Sequence, residues 1–261
     1  MSDTPRVILL MADYGHDPTE TAVPYTEFVK AGFKVTFATE NGKVPACDKR
    51  MLTGLSQKLL GATKSAISLY TQMTASLSFQ SPLSWSSPDF SLLTYDLVFL
   101  PGGHDKGVRQ IIDSLAIKRL LVAYFPLTNK ESSEKKVLAA VCHGVMVLSE
   151  ALVLEGEDKD KSVMSGCTTT ALPAVFEGVA YQGTRLWLGD YYLTYGRGSD
   201  SVETAVKKRL DDPGKQWKCS LSPSPFVVED EKYNYVSARF PPDAKLLAEK
   251  AVELVRECQA R

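Results

Sequence analysis

The 261-residue chain is poor in several things, and each shortage excludes a class of function. Neither sign of charge is in excess: 30 Lys and Arg stand against 31 Asp and Glu, a net of −1. Without a basic surplus there is no electrostatic footprint for nucleic acid or for an anionic membrane surface. No apolar run reaches membrane-spanning length and no charged-then-apolar leader opens the chain, so a cytoplasmic protein is the expectation. The five cysteines (Cys47, Cys142, Cys167, Cys219 and Cys258) are odd in number and widely spaced, with no CxxC pair. That spacing argues against a disulfide framework and against a structural zinc site. Histidine is scarce: His16, His104 and His143 are the whole supply, so any imidazole chemistry has a short list of candidates.

What is present is apolar and periodic. Hydrophobic residues make up 44% of the chain, enough for a substantial core. "RVILLMA" (6–12) reads as a buried strand, "TETAVPYTEFVKAGF" (19–33) as a helix with Thr19 as its cap and Gly32 as its stop, and "KVTFAT" (34–39) as a second strand. "YDLVFLPGG" (95–103) and "KVLAAV" (136–141) are further strands, each followed by helical spacing, over 108–125 and 145–152. "KSVMSG" (161–166) reads as another, "PFVVED" and "YNYVSA" as two short ones, and 243–258 as a terminal helix. Continuous apolar strands alternating with helices predict a doubly wound α/β sandwich, a mostly parallel sheet with helices on both faces, in one domain over 1–261. Residues 47–94, with the Ser/Thr-rich run "SLYTQMTASLSFQSPLSWSSPDFS", fit no single element and are expected as an inserted cap or a partner surface.

The most informative stretch is "VLAAVCHGVMVLSEA" (137–151), where an apolar strand stops at Cys142-His143-Gly144 and a helix begins. Ligands of open parallel sheets bind at the carboxyl ends of the strands, where this junction lies. Ala140-x-Cys142-x-Gly144 approximates the small-x-nucleophile-x-Gly elbow, with Ala140 in place of the first glycine. The helix amino end is expected to lower the thiol's pKa. An inert buried cysteine is the competing reading, and it would win for an isolated Cys. Gly102 and Gly103 end another strand at the same edge, where their N–H groups face a developing oxyanion or form an ordinary turn. Glu20 starts the first helix there, either as a carboxylate favoured by the helix dipole or as a protonated acid that shuttles a proton. His16 has two readings, a substrate contact and an exposed loop histidine, and the second is preferred. His104 is divided between pocket lining and turn residue. Trp187 and "WLGDYYLTYG" (187–196) read as core or as a pocket wall.

"AAVCHG", "LPGGHD" and "HDPTETAVPYTEFVKAGFKVTFATENGK" together resemble the ThiJ/PfpI superfamily, a branch of the class I glutamine amidotransferase-like fold, and within it the glyoxalase III and holding-chaperone branch. The resemblance implies Cys142 as nucleophile, His143 as general acid/base, Glu20 as the acid beside the thiol, and Gly103 with the backbone at His143 and Gly144 as oxyanion pocket. It implies a small-molecule carbonyl substrate, methylglyoxal converted to lactate without glutathione, cofactor or metal. Relatives also form homodimers or hold unfolded-protein clients. The sequence departs from that pattern after the strand expected at 161–166. "SVMSGCTTTALPAVF" holds no carboxylate to orient the histidine, leaving Thr168, Thr169 or Thr170 as neutral substitutes. "GGHD" puts Asp105 where the branch commonly has glycine. The position of a helical zinc ligand found in some members is Val29, so no zinc is expected. No histidine follows His143, which excludes the Cys-distant-His chemistry of the amidotransferases. Two other readings remain: a stress chaperone or redox sensor, and a hydratase or lyase tailoring a larger metabolite.

Overall fold

In the computed structural model, which describes residues 4–54, 57–58 and 61–260, a seven-stranded sheet carries the architecture. In chain order its strands are β1 (Arg6–Leu10), β3 (Lys34–Thr39), β5 (Leu83–Ser84), β6 (Leu97–Leu100), β7 (Val137–Val141), β8 (Val227–Glu229) and β9 (Tyr235–Ala238). They lie side by side as β5-β3-β1-β6-β7-β9-β8, and every pairing is parallel except that of β8 with β9. A separate two-stranded parallel pair joins β2 (Tyr14–His16) to β4 (Ala46–Cys47). β3, β1, β6, β7 and β9 are the inner strands. β6, β7 and β9 are buried at every position because helices cover both faces.

The first helix (Pro18–Lys30) starts one residue earlier than the spacing predicts. Its cap is Asp17, not Thr19: Asp17 Oδ1 accepts the N–H groups of Thr19 (2.7 Å) and Glu20 (3.0 Å), with Pro18 filling the first position. The helical stretch 108–125 is broken into Arg109–Ile112 and Leu115–Tyr124, the second capped by Ser114. The terminal helix (Ala244–Ala260) packs against the first helix and β7.

Two expectations fail. "KSVMSG" is not a strand: it turns at Ser162–Gly166 after a single bridge from Leu152 to Ser162, with the Ser162 and Met164 carbonyls closing turns to Ser165 and Cys167. The 47–94 segment, of which residues 55–56 and 59–60 lie outside the described ones, is not chiefly a cap. Its helix Lys64–Thr74 packs on the first helix, β5 extends the main sheet, and Tyr70, Met73, Phe79, Trp85 and Leu92 join the core. Aromatic and aliphatic side chains spaced among serines bury themselves wherever a face is free, and here that face is the sheet edge. No helix among the described residues is long and apolar enough to cross a membrane.

Candidate active site

β7 delivers its last residue to a turn that only a few residues tolerate. Cys142 has φ +57°, left-handed backbone that costs a non-glycine residue about 1–2 kcal/mol. The fold holds it there from both sides. Cys142 N donates to Ala238 O at the end of β9 (3.1 Å), and its carbonyl accepts from Val145 in the elbow helix (Gly144–Ser149). Gly144 is required by contact: a Cβ there would lie 2.1 Å from the carbonyl oxygen of Leu100. Gly102 is required for the same reason, since a Cβ would meet Glu20 Oε2 at 2.6 Å and Cys142 Cβ at 2.7 Å. The ends of β6 and β7 and the start of the first helix therefore converge on one point, and the sulfur sits there.

Around the sulfur the polar contacts run in a line. Cys142 Sγ lies 3.3 Å from His143 Nδ1, and His143 Nε2 shares a hydrogen bond of 2.7 Å with Thr194 Oγ1. On the other side the Glu20 carboxyl adjoins the thiol. Its Oε2 accepts the Gly102 N–H (3.1 Å), while Oε1 is buried without an aligned partner. The His104 ring stands edge-on to both His143 (4.9 Å between centroids) and Tyr192 (5.0 Å). Cys142, Glu20 and His143 are all buried. Among the described residues, His104, Cys142 and His143 are also a set able to ligate a metal, with one ligand atom from each and all within 4.8 Å of one another.

Burial decides the protonation states. The Cys142 thiol is pushed well above its ordinary value, first by burial and next by the neighbouring Glu20. Glu20 is itself pushed well up, by burial and then by Asp17, which favours its protonated form. His143 is pushed well down by burial and by His104, and stays neutral. The expected lowering of the thiol pKa is overturned. A helix terminus is worth about 0.3–1 kcal/mol, whereas full burial shifts a group by up to about 3–5 pKa units, several times more. Burial thus favours the uncharged forms of the thiol, the imidazole and the carboxyl alike.

The other candidates divide. His104 lines a cavity of about 200 Å³ with Asp17, Leu172, Phe176, Ala180, Tyr192 and Phe240. Cys142 is not on its wall. Met51 is the one described residue of 47–94 that is, so the wall is built instead by the helix Ala174–Leu188 and the loop after it. His16 is not an exposed loop histidine: it is buried in β2, its Nε2 lies 3.2 Å from Tyr70 OH, and burial lowers its pKa to about 3. With His143 and Gly102 it borders a void of only about 10 Å³, too small for a substrate. Gly102 N–H is occupied by Glu20, leaving Gly103 and the backbone after Cys142 as the oxyanion candidates. Asp105 turns away to cap the turn at Lys106–Val108 and lies 3.5 Å from Arg50. Thr168, Thr169 and Thr170 do not reach His143: Thr169 bonds Tyr235 and Ser237, and the Thr170 hydroxyl is buried and unpartnered. The partner is Thr194, missed because it lies 51 residues away in the aromatic cluster with no motif to mark it. Within that cluster Tyr191 and Tyr192 are buried while Trp187 is half exposed.

Comparison with known proteins places this geometry in a lineage. A family profile described as ThiJ/PfpI family-like matches residues 11–223. An uncharacterized protein of Schizosaccharomyces pombe is 30% identical over 252 residues, spanning 97% of this chain and 84% of its own length. Among solved structures, glyoxalase III from Candida albicans superposes with a TM-score of 0.67 at 17% identity, over 96% of this chain and 97% of that one. Drosophila melanogaster DJ-1beta gives 0.55 at 17% identity, over 98% and 96%.

Proposed function

The chain belongs to the ThiJ/PfpI-like family, and from that premise we propose a cofactor-free cysteine enzyme acting on a small, reactive carbonyl compound, an α-oxoaldehyde such as methylglyoxal. The observation that carries the reading is the relay from Cys142 Sγ through His143 to Thr194, with a protonated Glu20 on the far side of the sulfur. A Candida albicans protein of the same fold is described as glyoxalase III, which makes the α-oxoaldehyde the first substrate to try.

The steps follow from the atoms. The Thr194 hydroxyl lies at hydrogen-bond distance from His143 Nε2; in the tautomer this mechanism uses, Nε2–H donates to it and Nδ1 turns its lone pair toward the thiol. As Sγ bonds to the aldehyde carbon, Nδ1 takes the thiol proton and the carbonyl oxygen becomes an oxyanion beside the Gly103 and post-Cys142 N–H groups. That oxyanion then takes a proton, giving a hemithioacetal. Glu20 supplies that proton, and the carboxylate it becomes takes the hydrogen of the former aldehyde carbon as a proton and returns it to the adjacent ketone carbon, while His143 gives its proton to the ketone oxygen and takes one from the hydroxyl, leaving a thioester. Water hydrolyses the thioester to the 2-hydroxy acid and frees the thiol. Methylglyoxal plus water becomes lactate, with no external oxidant or reductant. Because the thiol is buried off the wall of the cavity, His104 or the wall helix has to yield for the substrate to reach it.

The test is methylglyoxal consumption and lactate formation by the wild type, Cys142→Ser and Cys142→Ala. Loss of turnover in folded variants supports the reading; equal turnover refutes it. A holding-chaperone reading has one observation of its own: Val179, Leu186 and Trp187 of the wall helix are exposed. Suppression of client aggregation that persists in Cys142→Ala would favour it.

A further inference from the structure

We propose that His104, Cys142 and His143 form a three-ligand site for one borderline-soft divalent cation of the Zn²⁺ class, with a fourth position open to the cavity. The three side chains come from two loops that the sheet brings together: His104 follows β6, and Cys142 and His143 follow β7. Their ligand atoms lie within 4.8 Å of one another. Tetrahedral Zn²⁺ with bonds of about 2.3 Å to sulfur and about 2.0–2.1 Å to nitrogen puts its ligand atoms roughly 3.3–3.6 Å apart, and Sγ and His143 Nδ1 are already at 3.3 Å. Small side-chain rotations close the set. Two imidazoles and one thiolate are the ligands that suit Zn²⁺ over Mg²⁺ or Ca²⁺.

Two further features favour the ion. Thr194 fixes the far nitrogen of His143, the support that ligating histidines commonly have. His104 borders the cavity, so the ligand that has to turn onto the metal is also the one beside a space where water or a small anion fits. Binding replaces the Cys142 S–H bond with an S–metal bond and releases one proton to solvent. The metal also ties up the lone pair of His143 Nδ1. Under the function proposed above, a metal-bound site therefore cannot perform thiol addition, and the cation acts as a reversible inhibitor. Only that consequence rests on the proposed function; the binding does not. The site is separate from the helical position at Val29, from which no zinc was expected.

The test is titration of the reduced, chelator-washed full chain with Co²⁺, followed by displacement with Zn²⁺. One equivalent should produce a thiolate-to-cobalt charge-transfer band in the near ultraviolet together with intense tetrahedral visible bands, and Zn²⁺ should abolish both. Cys142→Ser should remove the charge-transfer band. His104→Ala should weaken binding at least tenfold, and Thr194→Val about 10- to 100-fold. Circular dichroism confirms that each variant is folded. A wild type without the band at millimolar Co²⁺ overturns the proposal, and so does a band that survives in Cys142→Ser, which would belong to another cysteine such as exposed Cys219. Metal binding without methylglyoxal turnover by the metal-free wild type would support this site while sinking the glyoxalase reading. Turnover indifferent to stoichiometric Zn²⁺ would do the reverse.

Discussion

Replacing Thr194 by valine is the sharpest perturbation the site offers. The two side chains are nearly the same shape, so packing is preserved and only the hydroxyl is lost. Among the described residues that hydroxyl is the one hydrogen-bond partner of His143 Nε2, and both groups are buried. Leaving a buried polar group unpaired costs about 1–3 kcal/mol. Wherever that penalty falls on the transition state, in which the ring carries a proton, it slows Cys142 chemistry by about 5- to 150-fold. The reverse change, Thr194→Asp, puts a carboxylate on the ring and favours imidazolium, so the pH at which Cys142 becomes reactive should fall. The assay is alkylation of Cys142 across pH 6–10, followed by the mass of its own peptide because the chain holds four other cysteines, alongside kcat/KM for methylglyoxal. In the wild type, alkylation should still be rising at pH 9, since burial holds the thiol well above its ordinary value. The relay is refuted if Thr194→Val leaves both measurements within twofold of wild type, or if Thr194→Asp leaves the alkylation profile unmoved.

Gly144→Ala should lower stability by about 3 kcal/mol or more, because the new methyl meets backbone rather than a yielding side chain; urea denaturation measures it. Glu177 is buried, one oxygen accepting the Val202 N–H and the other unpartnered, and burial raises its pKa to about 7. A carboxyl raised in the folded state has its stability present below the unfolded pKa and loses it as pH climbs through the folded one. Glu177→Gln keeps the acceptor and removes the charge, so it should stabilise by up to about 3 kcal/mol at pH 8.5 and by little at pH 4, a contrast read from paired denaturation curves. His16 and His104 are shifted the other way, to about 3 and about 4, so the unfolded chain takes up protons first and the fold weakens as pH drops below 6.5. Asp17, raised to about 6, and Glu177 hold protons over the same window and offset that loss. The urea midpoint should therefore change little between pH 6 and 4.5 and fall steeply below pH 4.

The sheet was legible because its inner strands are continuous apolar runs, and runs such as "VLAAV" have one economical place, a strand buried on both faces. The elbow was legible because a tight approach demands small residues in a fixed order, which Gly102 and Gly144 satisfy. Two features were hidden. Thr194 approaches His143 only through tertiary folding, and a threonine carries no pattern that separates this role from any other. The thiol's protonation depends on how completely the site is sealed, which a helix start cannot reveal. His16 misled for the same reason: "DYGHD" looks like a polar loop, yet Tyr70 from a distant helix covers the ring.

The wall helix Ala174–Leu188 is fastened differently from the rest of the fold. Its two fully buried side chains, Glu177 and Thr184, are both polar, while Val179 and Leu186 face solvent. Burial of aliphatic groups, which locks the sheet, contributes little here, so this segment should swing outward at far smaller energetic expense than the strands can fray. Amide deuterium uptake across 174–188 should outpace that of β6 and β7. Traffic to the sealed sulfur would then be governed by how often this panel lifts, and a disulfide pinning it shut would leave the chemistry intact but unreachable.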